Sequence, residues 1–508
     1  MVLIFAVGIF GYYKVTAPTP IIEEQIKHEL SFDVSVTSSE QDVIKDAVKR
    51  QHLEITGAVV ASVKTSQTVS DDSKVLQAYV PVTSFNAVRQ AVSIAELATA
   101  KVLLHQDIDQ TAQAALAGAL GIDGDSMSTI SEPLDELLET DIAFIPVDSL
   151  TSAVKLLRFD DVYYLDSLNS GAIFRELVFE GEGALALSGL TLDKLFSESQ
   201  VYKVNMTGVT ALTRIMQRKL ASVGDPLYFS AKIGDFLADA DLTHVSNEVS
   251  FKPGCSYSNT LFCSPPEFIE TLKASGVDLV ELTGNHNNDL GSEFNTQTIE
   301  LYNSLEWGTV GGGLNVADAR EPFVDTQKGS NVTFLAYNFP DSPNGGAIAG
   351  ENKAGANSFD LATIQKDIEF AKEQADFVVV NVQFWECYAY PDGYLEFPQC
   401  DKPIGQQEQT FKKLIDLGAD MVVGSSAHQP QTYELYNGKP IYYGLGNLYF
   451  DQTSWPGTER GIVLTHYFVA GKLLQTKLTP TVFDKDLQTR VMTDAEADFL
   501  LTRLHDAR

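Results

Sequence analysis

One pattern occurs twice in the second half of the chain, and it constrains the fold more than any other feature. Residues 266–286 and 408–428 each read as an amphipathic helix closed by a glycine (Gly276, Gly418), then a short apolar strand, then a polar loop ending in histidine. The glycine-to-histidine spacing is ten residues in both, so His286 and His428 stand at equivalent places just past a strand's C-terminal end. In open α/β sheets that edge is where ligands bind. Apolar runs at 333–339 and 376–384, separated by a helical stretch at 360–374, read as a βαβ crossover. Residues 440–443, 461–469 and 472–481 read as β-structure with an antiparallel hairpin, and 494–505 as a closing helix.

The first part of the chain carries less chemistry. Residues 21–200 read as an α/β region of unassigned role, with helical periodicity over 85–105, a strand at 141–147, a helix at 150–157 and a strand at 161–165. Its histidines, His28, His52 and His105, are isolated, and lone histidines are more often packed or solvated than ligands. Residues 1–13 are apolar and read as the end of an N-terminal membrane anchor, with 16–20 an extended tether; a buried helix of the first domain is the rival reading. The expected division is therefore an anchor and tether at 1–20, an α/β domain at 21–200, a second domain at 201–485 and a helix at 486–508.

At 508 residues the chain has room for two or three domains. With 68 acidic against 36 basic residues, a net charge of −32, it lacks the cationic excess that holds a nucleic-acid backbone, so no nucleic-acid partner is expected. The four cysteines fall in two local pairs, Cys255 with Cys263 and Cys387 with Cys400. Four cysteines allow three connectivities, but the clustering favours two local disulfides, and no C-x₂-C spacing supports zinc. Disulfides suit an oxidising, extracytoplasmic setting, with the protein anchored or secreted.

Three stretches carry a family resemblance: Gly284-Asn-His-Asn-Asn-Asp-Leu-Gly291 with Val310-Gly-Gly-Gly and Ala319-Arg-Glu-Pro322; Gly418-Ala-Asp-Met-Val-Val-Gly424 leading to His428; and Gly438-Lys-Pro-Ile-Tyr-Tyr-Gly-Leu-Gly-Asn447 with Phe450-Asp451. Over about residues 200–455 the chain resembles the bacterial capsule-synthesis CapA family, associated with poly-γ-glutamate. The resemblance implies a layered metallophosphatase-like (calcineurin-like) α/β sandwich, here preceded by a separate smaller α/β domain.

Residue by residue, the family's Asn-His-x-x-Asp-x-Gly element falls on Asn285, His286, Asp289 and Gly291, and its Asn-x-Glu region, loosely, on Asn247 and Glu248. Its Gly-Asp-x-x-x-x-Arg opening falls on Gly208 to Arg214, with Val209 at the aspartate. Its His-Trp-Gly-x-Glu element falls on Gln383 to Glu386, with glutamine for histidine, and of Gly-His-His-Pro-His only the last histidine, His428, is kept. Three or four metal positions are changed. A two-metal site needs several carboxylates and imidazoles to fix both ions, and the remaining set is enough for one by count but thin for two.

The resemblance thus implies His286, His428, Glu386 and Asp289 as catalytic candidates. It places Arg214, Asn247, Gln383, Asn447 and Arg320 on substrate, and His286, His428, Glu248 and Asn285 on one divalent ion (Mn, Mg or Zn). Each has a bland counterpart: His286 bracing its loop, Glu386 in an ion pair, Asn247 and Glu248 satisfying backbone groups, and Arg214 paired with Glu248 or Glu386. His244 and His466 lie in strands and read as core or surface residues. Three functions stay open: a metal-assisted hydrolase or transferase of an anionic envelope polymer, working with the polymer or its synthesis machinery at the membrane; a non-catalytic polymer-binding scaffold; and a metal-dependent phosphoesterase.

Overall fold

The two repeated modules lie in different sheets that face each other. The computed structural model describes residues 29–507 apart from 71, 124–125, 132, 193–195, 257, 259–260, 340–345, 385–403 and 453–456. The strand of the first module, Leu279–Glu281, belongs to an eight-stranded sheet, and that of the second, Met421–Ser425, to a six-stranded sheet. In the larger sheet Tyr202–Thr210, Leu242–Asn247 and Leu279–Glu281 run parallel, and the hairpin Arg460–Val469 with Lys472–Phe483 continues it antiparallel. In the smaller one Ser330–Asn338, Phe377–Gln383, Met421–Ser425 and Lys439–Tyr442 are parallel. Helix Leu361–Lys372 makes the expected crossover. Asp360 caps it by accepting the Thr363 N–H at 2.9 Å, and Ile364, Ile368 and Ala371 form its buried stripe.

Strand alternation builds the layers. Leu279, Met421 and Val423 face the core between the sheets, with Val204, Met206, Phe334, Val379 and Leu464, whereas Val280 and Val422 face the helices outside. The result is the layered α/β sandwich expected. Upstream, a separate eight-stranded mixed sheet runs from Leu30–Phe32 to Ser170–Glu180, and its core of Val80, Ile145 and Phe174 takes in Tyr467 and Leu474 of the hairpin. The last helix, Asp494–Asp506, starts on a capping box between Thr493 and Glu496.

Three upstream expectations are corrected. Residues 85–105 form only a short helix, Ile94–Leu97, before strand Val102–His105, all four residues of which are buried; a strand covered on both faces has no period-two signature. Residues 150–157 hold no helix: Val154–Leu156 is a strand paired with Val75–Ser84, so sheet pairing overrides local periodicity. Residues 161–165 end in a 3₁₀ turn, Tyr164–Asp166, where Tyr163, Tyr164 and Leu165 are buried in succession. The anchor and tether at 1–20 and the Cys387/Cys400 pair lie outside the described residues. No helix among the described residues is long and apolar enough to cross a membrane.

Candidate functional site

Both histidine loops leave the sandwich at one edge. A parallel bridge between Val249 and His286 extends the pairing of Leu242–Asn247 with Leu279–Glu281. Glycine is required beside each loop because the backbones pass too close for a side chain. A Cβ at Gly284 would lie 2.5 Å from the Glu248 Cα, and one at Gly424 would lie 1.9 Å from the Tyr443 carbonyl oxygen. Gln383 then spans the gap, its Nε2 donating to Asn285 Oδ1 at 3.0 Å and to Ser426 Oγ at 3.1 Å.

Between the loops lies a continuous run of ring and guanidinium contacts, tilted at both histidines. The Arg214 guanidinium carbon is 5.0 Å from the Phe262 ring centre and 4.4 Å from that of Phe450. The His286 ring meets Phe262 at 4.6 Å and the His428 ring meets Phe450 at 4.9 Å. The order His286, Phe262, Arg214, Phe450, His428 links the two imidazoles through one run of contacts. Both rings are oriented through Nδ1. Asp289 Oδ2 lies 2.9 Å from His286 Nδ1 and also accepts the Phe262 N–H at 2.9 Å. Asn447 gives its amide N–H to Thr458 O at 2.9 Å, which turns its carbonyl to His428 Nδ1 at 2.9 Å, so that nitrogen carries the hydrogen.

Arg214 holds a left-handed backbone, φ 50° and ψ −114°, a conformation that costs about 1–3 kcal/mol and persists only where surroundings enforce it. Asp451 enforces it. Its carboxylate takes the Arg214 Nε–H at 3.1 Å and the Ile215 N–H at 2.6 Å, and its carbonyl takes Nη2 at 3.1 Å. Burial pushes the Asp451 carboxyl above its ordinary range, against the pull of Arg214 and the Ile215 N–H. Beneath, Val209, Ala211, Val249 and Phe450 form an apolar floor on which Phe262 packs.

The structure thus brings His286, His428, Asp289, Asn285, Gln383, Asn447 and Arg214 together. Asn247 is buried inward, donating to Val249 O at 2.7 Å and to the Tyr302 hydroxyl at 3.0 Å. Glu248 is buried against Gly284, and its N–H donates to Thr210 O. Arg320 is paired with Asp367 of the crossover helix at 2.5 Å, and no contact among the described residues joins it to that run of contacts. Glu386 lies outside the described residues. His244 and His466, read as core or surface, are both buried, and burial, with His244 adding repulsion, pushes His466 down to about 3.

The sequence reading missed Phe262, Phe450 and Asp451 as site residues. Asp451 is the partner the structure shows for Arg214, where the sequence suggested Glu248 or Glu386. The available signals were the place of Phe262 beside Cys263, which is bonded to Cys255, and the Phe450-Asp451 pair itself. The metal implied by the resemblance does not fit the described donors. No three His, Cys, Asp or Glu side chains among the described residues converge as an ion needs, and the floor at the missing aspartate is apolar.

Comparison with known proteins agrees with the motif reading. Residues 203–452 match the family model described as bacterial capsule synthesis protein PGA_cap. The chain is 30% identical over 205 residues to the capsule biosynthesis protein CapA of Bacillus anthracis, covering 40% of this chain and 46% of that protein. It is 28% identical over 214 residues to the PGA biosynthesis protein CapA of Bacillus subtilis, covering 42% and 53%. The matched region therefore spans about half the length of these relatives. A solved calcineurin-like phosphoesterase, YfkN of Bacillus subtilis, aligns over 60% of this chain and 96% of that one at 9% identity, with a TM-score of 0.32. Through residues 203–452, with their paired histidine loops, the chain is a divergent member of the bacterial capsule synthesis protein PGA_cap family.

Proposed function

We propose that the chain binds a carboxylate-rich envelope polymer of the polyglutamate type at the Arg214 edge, outside the cytoplasm, and serves its synthesis or attachment. The observation that carries this reading is the Arg214 guanidinium held between two phenyl rings and flanked by His286 and His428. Nε and Nη2 are engaged with Asp451, which leaves Nη1 for a ligand among the described interactions. A guanidinium suits a carboxylate, and the apolar floor suits the methylene stem of a glutamate unit. A chain of charge −32 repels such a polymer at long range, so the contact depends on a fixed local cation. The Cys255–Cys263 disulfide supports the compartment, the PGA and the capsule in the names of the two relatives support the ligand class, and an anchor at 1–20 would hold the protein at the membrane.

Titration calorimetry of the full chain with a short γ-linked glutamate oligomer tests this. Binding is expected, and Arg214→Lys, which keeps a cation for Asp451 but loses the planar fork, weakens it about tenfold, or about 1.4 kcal/mol. No binding at millimolar oligomer overturns the proposal. One observation favours a catalytic version: Asp289 orients His286 as a carboxylate orients a general-base imidazole. Release of new amine ends in the same samples selects that version.

A further inference from the structure

Directly beneath the two histidine loops, the space between the sheets holds a buried charge. Glu281 is 0% exposed. Its Oε1 accepts the Thr283 hydroxyl at 2.5 Å and the Ser425 hydroxyl at 2.7 Å. Its Oε2 accepts the Asn381 amide at 2.9 Å and faces His244 Nε2 at 3.2 Å. Thr283 and His244 come from the side of the larger sheet, Ser425 and Asn381 from the smaller one. Burial would raise the Glu281 carboxyl, but His244 and the two hydroxyls outweigh it and hold the group below its ordinary range.

The two hydroxyls are not arbitrary neighbours. Thr283 stands three residues before His286, and Ser425 three before His428, so one carboxylate oxygen grips the same position of each repeated module. Gln383 also bridges the two loops, between Asn285 and Ser426, although those two stand at different places in their modules. Filling such a space with apolar side chains is generally at least as stabilising as a buried ion pair, and the surrounding interior is so filled, with Leu242, Leu279, Val379 and Val423. Stability alone therefore does not account for a charge here.

We propose that Glu281 is a positioning residue whose carboxylate sets the spacing of the His286 and His428 loops by holding the equivalent hydroxyl of each module. This rests on the reading of their shared edge as one binding site.

The test is NMR of the ligand-free full chain labelled with ¹⁵N-histidine. Thr283→Val is expected to shift the ring signals of His428, and Ser425→Ala those of His286, each across the sheet boundary. Thr283→Ser, which keeps the hydroxyl, leaves His428 in place. A general loss of stability gives no such reciprocal pattern in the folded state. If each substitution moves only the histidine of its own module, the proposal is overturned. Glu281→Gln shifts both rings; should it fail to fold, the Thr283 pair still decides. With the γ-linked glutamate oligomer as probe, Thr283→Val weakens binding about tenfold and Thr283→Ser by less than about twofold. Reciprocal shifts in a protein that does not bind the oligomer would sink the polymer reading and leave the positioning role standing. Oligomer binding without reciprocal shifts would do the reverse.

Discussion

Replacing Arg214 with alanine is expected to cost about 3–5 kcal/mol of folding stability, since it leaves the Asp451 carboxylate buried without its cation. The side chain of Asp451 has 0% exposure, so water does not substitute for the lost partner. The loss of two ring contacts adds to the cost, and alanine offers no relief from the left-handed backbone at φ 50°. The effect depends on pH in a defined direction. The Asp451 carboxyl already sits above its ordinary range through burial, and removing Arg214 raises it further. A raised carboxyl favours the folded state while protonated and loses that advantage as pH rises through the folded value. The deficit should therefore be largest near neutrality and shrink on acidification. Urea denaturation at two pH values measures it, and a second change, Asp451→Leu, should recover most of the loss at neutral pH. A deficit below about 1 kcal/mol would show that the pair behaves as a surface one.

Removing the Cys255–Cys263 bond through paired serine substitutions should cost about 2–3 kcal/mol, the chain-entropy value for a ring this short. Its particular consequence lies at the site. The bonded loop carries Phe262, whose ring separates His286 from Arg214 and whose N–H is held by Asp289. Gln217 anchors the base of the loop, its Nε2 donating to Cys263 O at 2.7 Å. Loosening the loop frees the Phe262 ring and the Asp289 contact together. Denaturation should show the stability loss, and the His286 ring signal should broaden while that of His428 keeps its linewidth. Equal broadening of both would mean that the loop acts on the whole edge rather than on the first module.

What the sequence reveals about this protein is uneven for physical reasons. The modules around His286 and His428 are legible because each has a helical period, a terminating glycine and a short apolar strand, all local signals. The crossover at 330–383 and the hairpin at 460–483 are legible for the same reason. The strands Val102–His105 and Val154–Leu156 are not, because burial on both faces erases alternation and tertiary pairing decides the state. At the site, titratable residues draw attention by type, whereas Phe262 and Phe450 matter only through where the disulfide loop and the strand Asn447–Tyr449 deliver them. The pairing of Arg214 with Asp451 joins residues more than two hundred positions apart, and only the fold shows it. Glu281 reads as one polar residue in an apolar strand until its neighbours across the sheets are known.

That two repeated modules build a single binding edge is most directly tested by titrating the ¹⁵N-histidine-labelled chain with the γ-linked glutamate oligomer and following both rings. The signals of His286 and His428 should move together along one saturation curve with a common midpoint. Movement of one ring alone, or of the two with different midpoints, would contradict a shared site.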